Sequence, residues 1–335
     1  MSVTIYDIAR EAGVSIATVS RVFNNSTSVS EKAKTKVLDI ADKLGYHPQA
    51  MAQGLARKKS KLISAIVPVI SNYFFMEVLE GIQNRLSELD YELNFYNIKS
   101  TESIFEQVEN TIKRGMAEGY LIISVHFNDK EWASLKKYDI PIVLIDEYSS
   151  DFDSVSVDSI EGAYNATQYF IQNGFNRISM ISALPNSKPS RDRILGYRRA
   201  LEDSGRIVEE DLIVTGDCLN RDGFTEKNGY EAMQKLLALE MIPDACFCNS
   251  DIQAIGALKA MQDAGIMIPI LGFDDIEFSE FFGLSTMRQP MCEMGDMAVE
   301  KLLERLNNRE KGITHTVFSP ELIIRNTSVA INALL

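Results

Sequence analysis

The sequence predicts a small all-α head followed by a large α/β body made of two doubly wound parallel-sheet lobes. Two observations predict this arrangement. The first 45 residues show helical apolar spacing and helix-capping residues, whereas strand-like runs alternate with amphipathic helices from Lys61 onward. Such alternation is typical of parallel sheets covered by helices on both faces. Eight such strand-like runs are better accommodated by two sheets than by one.

The head is predicted to begin with two short helices. Thr4 is a suitable N-cap, and Asp7 lies three residues later as the acidic half of a capping-box-like pair. Gly13 is expected to end the first helix, because glycine readily adopts the positive φ of a C-cap. Ser15 then caps a second helix over residues 16–23.

These two helices carry the spacing of a helix-turn-helix. Ala9, Gly13 and Val19 supply a small residue where two helices cross, a turn glycine and a β-branched residue packed beneath them. The second helix is then free to enter the major groove of DNA. A third helix is predicted to begin at Ser30 and to end at Gly45. The pattern therefore favours a DNA-binding domain.

The body shows strand-like apolar runs separated by segments of helix length. The predicted strands cover residues 62–67, 91–98, 120–124, 140–145, 177–182, 213–215, 244–248 and 270–273. The predicted helices cover roughly 74–89, 103–114, 130–138, 160–173, 190–204, 224–239 and 251–264. A further helix at about 291–306 and a late apolar run at 316–324 are expected to cross back between the two lobes.

The charge is distributed unevenly. The formal net charge of -13 taken alone argues against a nucleic-acid partner, because polyphosphate attracts basic surfaces. Residues 1–60, however, carry 9 Lys and Arg against 5 Asp and Glu, a net charge of +4. The remainder carries 25 against 42, a net charge of -17. The basic head is therefore the expected DNA-binding end.

The amino terminus lacks a signal-peptide pattern, and no apolar run approaches the length of a membrane span of about 18 residues. A cytoplasmic, nucleoid-associated protein without a membrane partner is expected. The four cysteines are scattered and indicate neither a disulfide framework nor a metal site. Cys246 and Cys248 are expected as buried thiols on opposite faces of a strand.

No enzyme signature is present. No two glycines are separated by a single residue, and the P-loop, GxSxG and HExxH motifs are absent. The histidines, His47, His126 and His315, are isolated in the sequence. The chain is therefore predicted to be neither an enzyme nor the carrier of a metal or other cofactor.

Several segments resemble the lactose/galactose-repressor (LacI/GalR) family of transcriptional regulators. They are TIYDIAREAGVSIATVSRV at 4–22, LGYHP at 44–48, MAQGLA at 51–56, RILGY at 193–197, IGAL at 255–258, GFDD at 272–275 and RQP at 288–290. The resemblance implies a helix-turn-helix domain, a hinge helix with linker, and a body similar to periplasmic sugar-binding proteins. The implied boundaries are 1–47, 48–60 and 61–335, with a first lobe at about 61–158 and 289–317 and a second at about 159–288 and 318–335.

The resemblance also implies the residues that contact DNA. Ile16 and Ala17 occupy the specificity positions of the recognition helix, and Arg21 is the base-contacting arginine, since Arg with guanine is the commonest bidentate pairing. The candidate phosphate contacts are Thr4, Tyr6, Ser15, Thr18, Ser20 and Asn24. Alternatively, these polar residues only cap helices.

Residues 49–56 are implied to form a hinge helix that is too short to be stable alone. In the family such helices pair in the minor groove, where a leucine wedges a base step; Leu55 is that residue here. Ala52 and Lys58 are further candidate DNA contacts. The alternative is a flexible, solvated linker.

The implied effector cleft lies where the strands of both lobes end. Its candidate residues are Asn72, Phe74, Phe75, Asp146, Arg193, Ser250, Asp274 and Gln289. Carboxylates and arginine bind vicinal hydroxyls, and an aromatic face covers a sugar ring, so the set suits a polyhydroxylated ligand. Ser250 stands where the family usually has asparagine, and the strand before Gly272 is shortened.

Each of these residues has a structural alternative. One of Phe74 and Phe75 is expected to lie in the core. Arg193 could pair with Asp192 or Asp203 on the surface, and Asp274 or Asp275 could cap the next helix.

The predicted function is that of a homodimeric repressor of carbohydrate metabolism genes. It binds a pseudo-palindromic operator and is controlled allosterically by a sugar or sugar phosphate. Two alternatives stay open: a catabolite-control-type regulator governed by a protein partner, and a sugar-binding sensor without DNA-binding activity.

Overall fold

We analysed a computed structural model of the chain, which describes residues 3–23, 28–46, 60–68, 73–98, 103–185, 187–218 and 220–329. The chain divides into two compact units, Met1–Lys61 and Leu62–Leu335, called the head and the body below. Within the described ranges, no helix is long and apolar enough to cross a membrane.

The head consists of helices α1 (Ile5–Ala12), α2 (Ile16–Phe23) and α3 (Glu31–Leu44). Ile8, Val19 and Val37 are fully buried and form the centre of its small core. The three helices are thus held by one apolar face each, as the sequence predicts.

The predicted helix ends of the head are confirmed. The Asp7 carboxylate accepts hydrogen bonds from the Thr4 hydroxyl at 2.7 Å and the Thr4 backbone N–H at 3.0 Å. Gly13 ends α1 with a φ of 60°, in the left-handed region that favours glycine. Ser15 Oγ accepts from the Thr18 backbone N–H at 3.1 Å, which caps α2.

The first lobe of the body contains a six-stranded, wholly parallel sheet in the order β11-β5-β4-β3-β1-β2. Its strands are β1 (Leu62–Val67), β2 (Glu92–Asn97), β3 (Gly119–Ile123), β4 (Ile142–Ile145), β5 (Asp153–Val157) and β11 (His315–Phe318). Its helices are α4 (Tyr73–Glu88), α5 (Ile104–Lys113), α6 (Asp129–Lys136) and α12 (Met291–Asn307). Separate apolar cores lie on the two faces of the sheet.

The second lobe has a six-stranded sheet in the order β12-β10-β9-β8-β6-β7, parallel except for the β10–β12 pair. Its strands are β6 (Ile178–Ile181), β7 (Ile213–Val214), β8 (Ala245–Cys248), β9 (Ile270–Asp274), β10 (Ser285–Arg288) and β12 (Glu321–Ile323). Its helices are α7 (Ser159–Gln172), α8 (Lys188–Asp203), α9 (Glu226–Leu237), α10 (Asp251–Ala264) and α11 (Glu277–Phe281).

The sequence did not predict β5, β10 or α11. The sequences of β5 (DSVSV) and β10 (STMR) are mostly polar, and α11 has only five residues, so none of the three shows a clear apolar pattern. The late apolar run was predicted as one segment, but it forms two strands, β11 and β12, which belong to different sheets. Ser319 and Pro320 separate them.

One expectation about the cysteines is wrong. Cys246 and Cys248 are two residues apart on β8, so they point to the same face of the sheet. Both are fully buried in the core that includes residues of α9 and α10, whereas Phe247 lies in the core on the opposite face. In the described part of the chain, no group of His, Cys, Asp and Glu is arranged to hold a metal ion.

Candidate effector cleft and DNA-reading surface

A cavity of ≈ 970 Å³ lies in the body between the two lobes, where strands of both sheets end. From the first lobe it is lined by residues that follow β1, β3 and β4, and from the second by residues at the ends of β8, β9 and β10. Carboxyl ends of parallel strands are where doubly wound folds bind their ligands. Of the candidates that the structure describes, all seven line this cavity: Phe74, Phe75, Asp146, Arg193, Ser250, Asp274 and Gln289.

Arg193 on α8 forms the floor of the cleft and is only 3% exposed. Its Nη1 donates to the carbonyl of Asn249 at 2.6 Å and lies 3.9 Å from Asp274 Oδ1. Its guanidinium carbon stands 3.7 Å from the centre of the Phe273 ring. Burial lowers the pKa of Arg193, and the charges of Asp274 and Asp146 oppose that shift. The alternative of a surface ion pair is therefore wrong.

Asp274 ends β9 with a φ of 128°, in a region that non-glycine residues rarely adopt. Its Oδ1 accepts from Gln289 Nε2 at 2.6 Å, and the side chain is buried. Burial raises the pKa of Asp274 well above its ordinary value, and Arg193 opposes this. The N-cap of α11 is Ile276, so neither Asp274 nor Asp275 caps that helix.

Asp251 at the start of α10 holds this loop in place, although the sequence did not indicate it as a site residue. Its carboxylate accepts from the backbone N–H groups of Asp275 at 2.8 Å and Ile276 at 3.2 Å. The hydroxyls of Ser279 and Thr286 donate to it at 2.5 and 2.6 Å. Burial raises the pKa of Asp251 to about 6, against the effect of these hydrogen bonds.

Gly272 allows this approach. A Cβ there would stand 2.1 Å from Asp251 Oδ1, closer than real contacts permit. Asp274 therefore lies in the cleft although the strand before Gly272 is shortened, because Asp251 holds the backbone of Asp275 and Ile276 in place.

On the first-lobe side, Asp146 follows β4 with a φ of 59°. Ser124, which follows the neighbouring strand β3, donates to Asp146 Oδ2 at 2.7 Å. Burial raises the pKa of Asp146, and the charge of Arg193 and the Ser124 hydroxyl oppose this. Asp146 and Asp274 thus approach one arginine from opposite lobes.

The aromatic and capping residues complete the wall. Phe74 and Phe75 are both buried and both line the cavity, with ring centres 5.5 Å apart in an edge-on arrangement. Ser250 caps α10 by accepting from the Gln253 backbone N–H at 3.4 Å. Ser250 therefore has a structural role as well as a place in the wall.

Two buried polar atoms of the cleft, Arg193 Nε and Gln289 Oε1, have no hydrogen-bond partner among the residues that the structure describes. An unmet buried donor or acceptor costs about 1–3 kcal/mol. One donor and one acceptor beside two carboxylates suit a ligand that carries hydroxyl groups, because each hydroxyl both donates and accepts.

The head presents the predicted DNA-reading residues on an exposed surface. Ile16, Ala17 and Arg21 on α2 are exposed, Ile16 by 42%. Tyr6 is 66% exposed, and Thr4 and Ser15 are exposed while also capping α1 and α2. Thr18 and Ser20 are half-buried. Asn24, Ala52, Leu55 and Lys58 of the head, and Asn72 of the cleft, lie outside the described residues.

Comparisons with known proteins match both parts of the chain. The profile of "Bacterial regulatory proteins, lacI family" matches residues 4–49, and that of the "Periplasmic binding protein-like domain" matches residues 167–328. Catabolite control protein A of Priestia megaterium is 34% identical over 319 residues, which cover 92% of this chain and 94% of that protein.

Two solved structures share the fold. One is a transcriptional regulator CelR–cellobiose complex, with a TM-score of 0.73 and 25% identity over 97% of this chain and 99% of that one. The other is a Lac repressor dimer bound to operator and the anti-inducer ONPF, with a TM-score of 0.84 and 24% identity over 98% of this chain and 100% of that one.

Proposed function

The chain belongs to the LacI family of bacterial regulatory proteins and is a DNA-binding transcriptional regulator, not an enzyme; from this premise we propose that it represses carbohydrate metabolism genes and that its effector is a neutral sugar bound in the cleft. Family membership removes the alternative of a sugar sensor without DNA-binding activity.

The observation that carries the effector proposal is the buried Arg193 between Asp146 and Asp274. Bidentate hydrogen bonds from carboxylates and arginine fit vicinal hydroxyls, and Phe74 and Phe75 supply an apolar wall for a sugar ring. The buried Asp274 and the half-buried Asp146 both act on the charge of this one guanidinium. A phosphate would add negative charge next to them, so a neutral sugar fits the floor better than a sugar phosphate.

For the DNA side, the exposed start of α2 supports direct reading of the major groove by Ile16, Ala17 and Arg21. Thr4, Tyr6, Ser15, Thr18 and Ser20 are proposed to position the head on phosphates. A homodimer would place two heads on the halves of a pseudo-palindromic operator. Effector binding would then change how the two hinge segments meet.

A thermal-shift screen with glucose, ribose, cellobiose, maltose and glucose 6-phosphate tests the effector proposal. A ligand at a hundred times its Kd stabilises the folded state by about 2.7 kcal/mol, so a neutral sugar is expected to raise the Tm clearly. Arg193→Lys should remove the shift, because lysine cannot form the planar bidentate contact. Arg198→Lys is the matched control: it lies on the same helix and pairs with Glu210 outside the cleft.

The alternative function is a regulator that is controlled by a protein partner. The 34% identity to catabolite control protein A supports this alternative. The same screen separates the two. If no sugar changes the Tm, the sugar proposal is contradicted and the partner-controlled regulator is supported. If only the sugar phosphate binds, the argument from the two carboxyl groups is wrong.

A further inference from the structure

The cleft wall of the first lobe holds a second polar pair, the half-buried His126 and the buried Glu147. His126 follows β3 and Glu147 follows the neighbouring parallel strand β4, so the sheet brings the two side chains together. His126 Nδ1 is hydrogen-bonded to Glu147 Oε2, and both residues line the cavity. Glu147 is 7% exposed, and its other oxygen accepts from the Tyr148 backbone N–H at 2.8 Å.

The hydrogen bond to Glu147 determines which nitrogen of the His126 ring carries a proton and which one can bind a ligand. Because Nδ1 faces a carboxylate, it carries the proton of that hydrogen bond. Nε2 has no partner among the residues that the structure describes, while the ring lines the cavity. A protonated His126 therefore presents a charged Nε2–H donor to a ligand, and a neutral one presents only an acceptor.

The charges around His126 resemble those around Arg193. Glu147 and Asp146 act on it from the first lobe and Asp222 from the second. The charge of Arg193 acts on Asp146 as well, and Arg221 and Asp222 both line the cavity. In both places a cation is flanked by carboxyl groups from both lobes, which is an arrangement of alternating donors and acceptors suited to hydroxyls.

We propose that His126 and Glu147 form a second hydroxyl-binding site of the cleft, so that the effector is a neutral sugar of at least two rings. This inference rests on the proposed sugar-binding function. The cavity of ≈ 970 Å³ lies at the upper end of the range of about 300–1,000 Å³ for ligand pockets, which leaves room for a second ring beside the one on the Arg193 floor.

The pair also makes binding depend on pH. Burial lowers the pKa of His126, but the hydrogen bond with Glu147 and the charges of Glu147, Asp146 and Asp222 outweigh burial and raise it above its ordinary value. Affinity is therefore greatest when the ring is protonated and falls as pH rises through that pKa. The fall approaches tenfold for each pH unit above it.

Burial also raises the pKa values of Asp146 and Asp274, which line the same cavity, so the contribution of His126 is the difference in pH dependence between wild type and His126→Asn. Two further groups of the body titrate in this range. Burial raises the pKa of Glu77 to about 7, and that of Asp251 to about 6. Measurements between pH 6.5 and 9 lie largely above the Asp251 range, and a Glu77→Gln background removes the contribution of Glu77.

The test is calorimetric titration of the full-length protein with cellobiose, maltose and glucose across this pH range. We expect one of the disaccharides to bind at least tenfold more tightly than glucose, with affinity falling as pH rises. His126→Asn should weaken that sugar at least tenfold at pH 6.5 and remove most of the pH dependence. His315→Asn is the matched control, since His315 bonds Ser154 and does not line the cavity.

The outcomes separate this inference from the proposed function. If glucose binds as tightly as the disaccharides, or His126→Asn binds like wild type, the inference is overturned and sugar binding stands. If no sugar binds, both fall. Imidazole ¹⁵N NMR of the ligand-free protein is the independent check: Glu147→Gln should lower the pKa of His126, and an unchanged titration overturns the inference.

Discussion

The floor of the effector cleft and the DNA-reading helix α2 present their functional side chains in opposite ways. Arg193 and Asp274 are 3% and 7% exposed and are held by hydrogen bonds, an aromatic ring and an unusual backbone conformation. Ile16 is 42% exposed, and Arg21 is exposed as well. The cleft side chains are thus held in place before a ligand binds. The DNA-reading side chains of α2, by contrast, do not belong to the core of the head and can be removed without disturbing it.

Asp251→Ala should disturb the cleft floor most strongly. The substitution leaves two backbone N–H groups and the Ser279 and Thr286 hydroxyls without their buried acceptor. Breaking such a network typically costs about 3 kcal/mol or more, and the Asp274 loop should lose its geometry. Urea unfolding of the body should therefore shift strongly, and sugar binding should be lost.

Asp263→Ala is the control for this substitution, because Asp263 lies on the same helix and pairs with Lys259 on the surface. Equal unfolding midpoints for the two variants would show that the cleft floor does not depend on Asp251.

The second test is Arg21→Ala in the head. Because Arg21 is exposed, we expect the thermal stability of the head to stay near wild type. The preference for the operator over random DNA should fall by about 1–3 kcal/mol, or roughly 5- to 150-fold. Fluorescence anisotropy with a selected operator and a scrambled duplex measures this ratio.

Arg10→Ala serves as the matched control, since Arg10 is an exposed arginine of α1 that pairs with Asp7. It should lower affinity for both duplexes alike, if at all. A preserved operator preference in Arg21→Ala would refute the assignment of α2 as the recognition helix.

The same contrast explains what the sequence could predict. The head was readable because its helix ends depend on local chemistry: Thr4 with Asp7, Gly13 at positive φ, and Ser15 before Thr18. The long strands and helices of the body were readable from their periodicity. Short elements such as β5, β10 and α11 were not, because their position depends on the sheet they join.

In the cleft, only the residues that belong to family motifs could be predicted from the sequence. Asp146, Arg193, Asp274 and Gln289 were predicted in that way and do line one cavity. Asp251 and the His126–Glu147 pair were missed, since their partners come from other strands and loops. The sequence signal for Asp251 was an acidic residue at a helix start, which usually marks only a favourable helix terminus.

A weaker effect, on the pH dependence of unfolding, is expected where the two lobes meet. Glu77 there is only partly exposed, so it is neither as buried as Arg193 nor as exposed as Arg21. Glu77 on α4 is half-buried and interacts with Asp275 and Glu277 of the second lobe. Burial raises its pKa to about 7, and the charges of Asp275, Glu80 and Glu277 add to the rise. A raised carboxyl pKa means that the stabilising contribution is complete below the unfolded value and is lost as pH rises through about 7.

The free energy of unfolding of the body should therefore fall as pH rises from the ordinary value of 4.5 to about 7 and level off above it. After allowance for the solvent exposure of Glu77, its share is about 1 kcal/mol. Glu77→Gln should show a smaller fall in the free energy of unfolding with pH, and it should be more stable than wild type at pH 8. Glu80→Gln is the control, because Glu80 is an exposed residue of the same helix, and it should keep the wild-type pH dependence. His126, Asp146, Asp251 and Asp274, whose pKa values are also raised, contribute slopes of the same sign, so the share of Glu77 is the difference in slope between Glu77→Gln and Glu80→Gln. An equal slope in Glu77→Gln and Glu80→Gln would mean that Glu77 stays ionised in the folded body, and the contact between the lobes would then be insensitive to pH.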